Sequence, residues 1–579
     1  MNKTRTESKA FMEKQNYQTT PVIITLGAFV IGLAFRIIRL GALPLNHMEA
    51  EIALQALGVA RGEEVLFGGH IAYVGLTGIP FFLFSPGNLL ARFWPAFFGA
   101  LVVLIPYSFR KSIGEWPAVL AGLILAISPE MVGLSRIVGS PMMAMIFLLL
   151  FLGSWLHQKS ILAGVCLGLG LMSGPGFWIG LTILGLSFVF ADGLFGVRQV
   201  FNKQALPADK PFWIRFALSI AVTLLLVGTG FFKAPAGLSG IFSGLYTFIL
   251  GFGTRVQAPF GIIPIPFALV AYSAGALIFG VWGGIRGILV KSKLDLFLFI
   301  WAGLGLIFII LYPAAGPAEL IWVTLPLWVL GARVVVFAWR KPETSRLVMT
   351  IMAVLVVVIF AFMLLALRTL VMPTLTPSQQ INYLIALVGG VVLLVAILLL
   401  VSYGWTEEIA RAGLLLGLAL VFSAGMISIS VNSTGIGPEI PNELWYPDQP
   451  VLTTEWLNVT IDRVLVWNAR GQDPVDIVVS GMDTPGLRWA LHNYDPLDFV
   501  PFVPPQSQPG VLITPAGVIP EISRGYQGQG LVWTHEVPWR ELSPNQYLTW
   551  LVTRDVPILP QELILWVRTD KMPGGELTE

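Results

Sequence analysis

The sequence predicts a polytopic α-helical membrane bundle followed by a separate α/β domain, and three observations predict it. Of 579 residues, 55% are apolar and only 12% charged, about half the roughly 25% charge content of a soluble domain. The apolar residues fall in runs of about twenty, the length at which a helix crosses a ~30 Å hydrocarbon core. Charge is also divided: residues 436–579 hold 8 Lys+Arg against 18 Asp+Glu, whereas residues 1–435 hold 27 against 15. Two regions with opposite balance meet different solvents.

Residues 1–20 form a polar tail. Apolar runs at 21–40, 92–109, 116–128, 140–156, 160–173, 175–192, 213–232, 262–283, 294–312, 318–338, 346–367, 383–403 and 410–430 give about thirteen spans within residues 21–435. Those at 116–128 and 160–173 are short for a bilayer. Nineteen of the 27 cations in this region fall in alternate loops beginning with the tail, among them Arg110, Lys111, Lys159, Lys210 and Arg411. The positive-inside rule makes those loops cytoplasmic. With an odd number of spans, the N-terminus lies inside the plasma membrane and residues 436–579 lie outside.

Eight cations remain on the outer side, including Arg36, Arg39, Arg61, Arg92, Arg136, Lys233 and Arg255. Any one of them is compatible with simple snorkelling at the interface. As a set they suit a phosphate: Arg36 and Arg39 stand about one helical turn apart at the end of the first span, and guanidinium forks match phosphate oxygens. Two outer loops are long, 41–90 and 233–261. The second carries Leu238, Ile241, Leu245, Phe248 and Ile249 at the spacing of a helix lying on the bilayer surface.

Residues 436–579 lose the long apolar runs. Thr454 is placed to cap a helix with Trp456, Val459 and Val464 on one face, and helical patterns recur at 487–494 and 545–553. Strands are expected at 475–479, 510–514, 531–534 and 563–567. The tryptophans of this region suit either core packing or a sugar-stacking surface.

Function classes narrow quickly. One cysteine, Cys166, excludes an intrachain disulfide or a thiolate metal cluster, and no HExxH or GxxxxGK[ST] motif occurs. Acids are almost absent from the spans, which argues against an ion-coupled transporter. What stands out is a pair of carboxylates, Glu49 and Glu51, beside His47, soon after the first span. A carboxylate at the membrane face near clustered arginines can deprotonate an acceptor hydroxyl while the cations hold a lipid phosphate leaving group. The same acids also suit the first turn of a solvated helix.

The segment Arg36…Arg39-Leu-Gly-Ala-Leu-Pro-Leu-Asn-His-Met-Glu-Ala-Glu resembles the first outer loop of the GT-C membrane glycosyltransferases, the superfamily of protein O-mannosyltransferases and lipid A aminoarabinose transferases. Ala91-Arg92-Phe-Trp-Pro-Ala-Phe-Phe-Gly, Ser128-Pro129 and Leu134-Ser135-Arg136 resemble the segments that follow. Ala234-Pro-Ala-Gly-Leu238 and Tyr312-Pro313…Glu319-Leu-Ile-Trp322 look like its family 39-like branch, often called flippase-activity-associated proteins. The resemblance implies an enzyme that moves a sugar from a polyprenyl-phosphate carrier to a glycan, lipid or protein acceptor on the outer face of the membrane. It implies Glu49 as base with Glu51 as the second carboxylate, and Arg36, Arg39, His47, Arg92, Arg136, Lys233, Arg255, Tyr312 and Glu319 as substrate-binding residues. No cofactor is expected, a divalent metal is left open, and nucleic acid is not an expected partner. The family's acid pair Asp-Glu reads Met48-Glu49 here, and the segment after Arg136 lacks an acid. The alternative is therefore a non-catalytic protein of the same fold that binds a lipid-linked glycan and assists its assembly or translocation.

Overall fold

The computed structural model describes residues 2–196, 209–253, 263–339, 346–372, 375–434, 442–446, 451–469, 475–504, 507–520 and 525–572. Helix α1 (Asn2–Ile37) contains the first span, Thr19–Ile37. It is followed by α2 (His47–Arg61), α3 (Ile71–Leu83) and α4 (Asn88–Leu101), whose span continues to Ser108. Helices α5 (Glu115–Ile127) and α6 (Pro129–Ser135) meet at 57°. Ser128 between them is extended, as a residue before proline prefers, and Pro129 starts the second helix without an N–H to give.

The bundle continues with α7 (Met142–Leu156), α8 (Ser160–Leu171), α9 (Pro175–Phe195) and α10 (Lys210–Gly228). A 3-10 turn at Pro235–Ser239 leads into α11 (Gly240–Leu250). Then come α12 (Pro264–Val290), α13 (Lys293–Leu311), α14 (Ile321–Trp339), α15 (Arg346–Leu370), α16 (Pro377–Gly404) and α17 (Glu407–Ser433). Trp322, Trp328, Phe147 and Phe177 are fully buried in the bundle core.

Among the described residues ten helices are long and apolar enough to cross a bilayer, or eleven if α5 and α6 count as one bent span. The expected count of thirteen is not confirmed by these lengths. Where described, each apolar run is largely helical, but Met142–Leu156 and Ser160–Leu171 are 15 and 12 residues long. At 1.5 Å per residue these reach only about 22 and 18 Å. Only 11% of the apolar window of α16 is buried inside the protein. A helix this exposed and this apolar is solvated by lipid, and the chain is a multi-pass membrane protein.

The C-terminal part folds as α18 (Thr454–Ala469), β1 (Ile477–Ser480), α19 (Pro485–Leu491), β2 (Leu497–Val500), β3 (Val511–Pro515), β4 (Tyr526–Glu536), α20 (Pro544–Thr553) and β5 (Leu559–Arg568). They build one five-stranded sheet in the order β2-β1-β3-β5-β4, with β1 parallel to β2 and β3 and with β5 antiparallel to β3 and β4. The four strands and three helices read from the sequence are present; β2 is additional. The inward face of α18 differs: Leu457, Ile461 and Val464 are buried, whereas Trp456 is 68% exposed. Trp489, Trp533, Trp539 and Trp550 are buried, so these rings serve packing, not sugar stacking.

The domain is fastened to the bundle. Tyr272 of α12 donates its hydroxyl to buried Glu443 at 2.6 Å and accepts from the Leu444 N–H at 2.8 Å. Arg554 stands 3.8 Å from the same carboxylate and covers the Trp550 ring. Trp550 donates its indole N–H to the Asn442 carbonyl, and Tyr547 stacks on Phe267 of α12 at 4.8 Å. Burial pushes the Glu443 carboxyl above its ordinary range, against the pull of Arg554 and Tyr272.

The sidedness inferred from charge has a direct test. In a Cys166→Ala background, single cysteines at exposed Lys111 and exposed Asp498 are expected to label from opposite faces of sealed vesicles. Labelling of both from one face would overturn the assignment of the tail to the inside and the sheet domain to the outside.

Candidate functional site at the first loop

Helix α2 starts because Asn46 and Glu49 cap it reciprocally. The Asn46 side chain accepts from the Glu49 N–H at 2.8 Å, and Glu49 accepts from the Asn46 N–H at 3.2 Å. The Glu49 carboxylate is fully buried and also meets Arg92 of α4 side-on, with Nε to Oε1 at 2.9 Å and Nη2 to Oε2 at 2.6 Å. A fourth donor, the Val138 N–H, reaches Oε1 at 3.1 Å. All the lone pairs that a substrate hydroxyl would approach are in use.

Arg36, Arg92 and Arg136, expected to hold phosphate, converge here, but most of their N–H groups are spent on backbone carbonyls and on Glu49, while the buried Arg36 Nε makes no hydrogen bond. Arg136 covers the carbonyls of Phe35, Arg36, Ile38 and Arg39 at 2.8–3.2 Å and that of Thr434 at 2.9 Å. It thereby closes the C-terminal ends of α1 and α17 together. Arg36, 0% exposed, donates to Leu125 and Ala126 at the end of α5 and to Gly32 in its own helix. Arg92 donates to the carbonyls of Leu43 and Pro44 at 2.6 and 2.9 Å besides its bond to Glu49. Partial negative charge at helix C-termini stabilises a cation, by up to ~2 kcal/mol in partly buried geometry. Three buried guanidinium groups thus have one carboxylate and many carbonyls as partners. Arg39 does not share a helical face with Arg36, because α1 ends at Ile37 and Arg39 is exposed with a positive φ of 52°.

The remaining expected residues divide between two places. His47 opens α2, and its Nδ1 accepts the Gly486 N–H of the sheet domain at 3.2 Å. A Cβ at Gly486 would lie 2.8 Å from that nitrogen, so only glycine permits this contact. Glu51 is exposed on α2 and lines a cleft of ≈ 490 Å³ between α2 and the loop after β1, with Gln55, Glu63, Glu64, Asp483 and Arg488 among its walls. Elsewhere, Tyr312 donates to the Phe248 carbonyl at 2.9 Å within a group of aromatic rings, and Glu319 accepts the Gly316 N–H at 2.8 Å. Those two residues hold α11 and the start of the Pro317–Trp339 span. Lys233 is exposed, its ammonium 3.2 Å from the Phe82 ring centroid. Arg255 lies outside the described residues.

One residue was missed by the sequence reading. His70 stands at the N-terminal boundary of α3 in the same loop without a side-chain capping bond, and its Nε2 and the Met48 methyl both lie 3.8 Å from where a Gly139 Cβ would stand. Gly139 has φ +80°, a backbone that favours glycine. Burial pushes the His70 imidazole down to about 4, a bond to the Ser173 backbone partly opposing. The Gly68-Gly69-His70 sequence in the long loop was the available signal. No group of three or more His, Cys, Asp or Glu side chains suited to a metal occurs among the described residues.

No protein-family model matches the sequence, and no curated protein matches it. Solved structures do. ArnT from Cupriavidus metallidurans bound to undecaprenyl phosphate is similar at a TM-score of 0.51 and 14% identity, over 97% of this chain and 99% of that one. Its apo state is similar at 0.49 and 14%, over 96% and 98%. The Archaeoglobus fulgidus oligosaccharyltransferase tethered with an acceptor peptide gives 0.44 and 16%, over 83% of this chain and 63% of that one.

Two outcomes follow from the site's geometry. Glu49→Gln leaves Arg92 buried without its counterion, so a loss of about 3–5 kcal/mol is expected, read as a lower melting temperature in detergent; Glu51→Gln, at the surface, should leave melting unchanged. His70 is neutral when folded while the unfolded chain takes up a proton below its ordinary pKa of 6.5. Its contribution is therefore complete above that pH and is lost as pH falls toward 4. Melting should drop on acidification, and the drop should shrink in His70→Gln.

Proposed function

We propose that this chain, which has the GT-C fold, is a membrane glycosyltransferase that takes a sugar from a polyprenyl-phosphate carrier and transfers it at the outer end of the bundle. The observation that carries the reading is the likeness to ArnT over nearly the whole of both chains, sheet domain included. ArnT was seen with undecaprenyl phosphate, and a carrier of that class is the donor proposed here. The acceptor is a glycan, lipid or protein.

The geometry supports Glu51 over Glu49 as the base. Glu49 is buried with four donors, whereas Glu51 opens into the cleft one helical turn after Met48, which stands where the family's aspartate would be. Lys233 is our choice for the donor phosphate. Its ammonium is exposed beside Phe82, Leu83 and Phe84, which are 62–64% exposed and suit an isoprenoid chain. In this scheme Glu51 takes the acceptor hydroxyl proton, the oxygen attacks the anomeric carbon, and the phosphate leaves with the bonding pair.

Met48 and the fully engaged Glu49 favour a second reading, in which the same fold binds a lipid-linked glycan without transferring sugar. Reconstituted protein supplied with a panel of polyprenyl-phosphate sugars and membrane-extract acceptors separates the two. On the first reading wild type transfers sugar, Glu51→Gln lowers the rate by about 10²–10⁴ with lipid retention intact, and Lys233→Ala weakens retention of the carrier by about tenfold or more. Transfer that survives Glu51→Gln removes the base assignment, and absence of transfer with every donor favours the binding protein.

A further inference from the structure

The sheet domain presents the edge at which parallel sheets hold ligands to the first loop. From β1 the chain runs through α19 to β2 on one side, then returns across β1 to β3 on the other. Connections that part in this way leave a crevice outside the carboxyl ends of the strands, the usual ligand position in such sheets. Here the loop leaving β1, beginning at Gly481 with φ +72°, and the start of α19 supply one wall of the cleft whose other wall is α2.

Helix α19, which follows that loop, is held to the bundle at three points. Gly486 donates to His47, Trp489 donates its indole N–H to Asn88 at 2.9 Å, and Arg61 donates to the His492 carbonyl at 3.0 Å. Within the cleft Arg488 and Asp483 form a two-point pair, 2.5 Å from Nε to Oδ1 and 2.7 Å from Nη2 to Oδ2. The guanidinium lies 4.5 Å over the Phe499 ring, so its plane is fixed although the side chain is 48% exposed. Leu54, Leu66 and Pro485 place apolar surface next to these charges.

We propose that this cleft binds the acceptor and that the Asp483–Arg488 pair of the sheet domain selects it; the proposal rests on the transferase reading above. A fixed guanidinium and carboxylate offer donors and acceptors to adjacent hydroxyls, and the apolar wall matches the C–H face of a sugar ring. The balance of Glu51, Glu63, Glu64 and Asp483 against Arg488 is negative, which turns away anionic groups. The ligand class is therefore a neutral or amine-bearing polyhydroxylated acceptor, with no phosphate or uronate at this position. Asp483 and Arg488 are specificity residues, and the chemical step belongs to Glu51.

The test uses the full-length protein in detergent with neutral hexose trisaccharides as probes, and their uronate counterparts for comparison. Wild type is expected to bind a neutral probe at least tenfold more tightly than Arg488→Ala or Asp483→Asn does, and to reject the uronate. A charge-exchanged Asp483→Arg, Arg488→Asp variant retains the ion pair and should keep the melting temperature while losing the probe. In the transfer assay the same variants should raise the acceptor KM about tenfold and leave kcat within about threefold, in contrast to Glu51→Gln. Equal probe binding by wild type and both single variants, or none by wild type, overturns the inference. Probe binding that depends on Arg488 in a protein that transfers no sugar upholds the cleft and overturns the transferase reading instead.

Discussion

A guanidinium inside an apolar bundle is costly unless every N–H finds an acceptor, and at the first loop the acceptors are mostly helix ends. Arg136 draws the C-termini of α1 and α17 onto one planar group, and Arg36 does the same for the end of α5. The irregular backbone at 38–44 can sit at the bundle end because its carbonyls are satisfied by Arg136 and Arg92. Glu49 then supplies the one carboxylate that faces Arg92, and in doing so fixes the first turn of α2. The direction of α2, and with it the exposure of Glu51, depends on this network.

A second network uses the same logic deeper in the chain. Glu130, at the bend between α5 and α6, accepts from Ser273 at 2.9 Å and from the Trp328 indole at 3.0 Å. Ser273 is where α12 leaves helical geometry, with φ −134° and ψ 27°. The preceding residue, Tyr272, holds Glu443 of the segment leading to the sheet domain. Two consecutive residues of one kinked helix therefore hold two buried acids, one in the bend of a span and one at the root of the domain. The kink has a cause in side-chain bonding, and it places the sheet domain relative to the bundle that α2 caps.

The fold was legible because its signals are collective. Runs of twenty apolar residues, the switch to short mixed elements after residue 436 and the reversal of charge each survive local error. Individual faces were less legible: α18 turns Leu457 and Ile461 inward, and Trp456, which hydrophobicity alone would bury, faces out. The site was half legible. Asn46-x-x-Glu49 carried a capping signature, and the first-turn reading of Glu49 described its local role, but nothing local told that Arg92, 43 positions away, would occupy the carboxylate. Arginine clusters read alike from sequence whether they face a phosphate or a helix terminus, because the acceptor in the second case is backbone and leaves no residue type to recognise. Asp483 and Arg488 were invisible for a related reason: their position against α2 arises only when the two parts of the chain pack.

The distribution of charge around α2 bears on how a transfer reaction would be kept in order. Val59 meets the Gly230 turn that leads to exposed Lys233, while its neighbour Gly58 lines the acidic cleft. The Lys233 ammonium among exposed aromatic and aliphatic side chains suits a lipid phosphate, and the carboxylate-rich cleft repels one. On the transferase reading, a carrier whose phosphate enters from the membrane is held off the acceptor side by the charges proposed to receive hydroxyl groups there. On that reading the two charge environments sort the phosphate of the carrier from the hydroxyls of the acceptor, and this sorting uses no carboxylate at position 48.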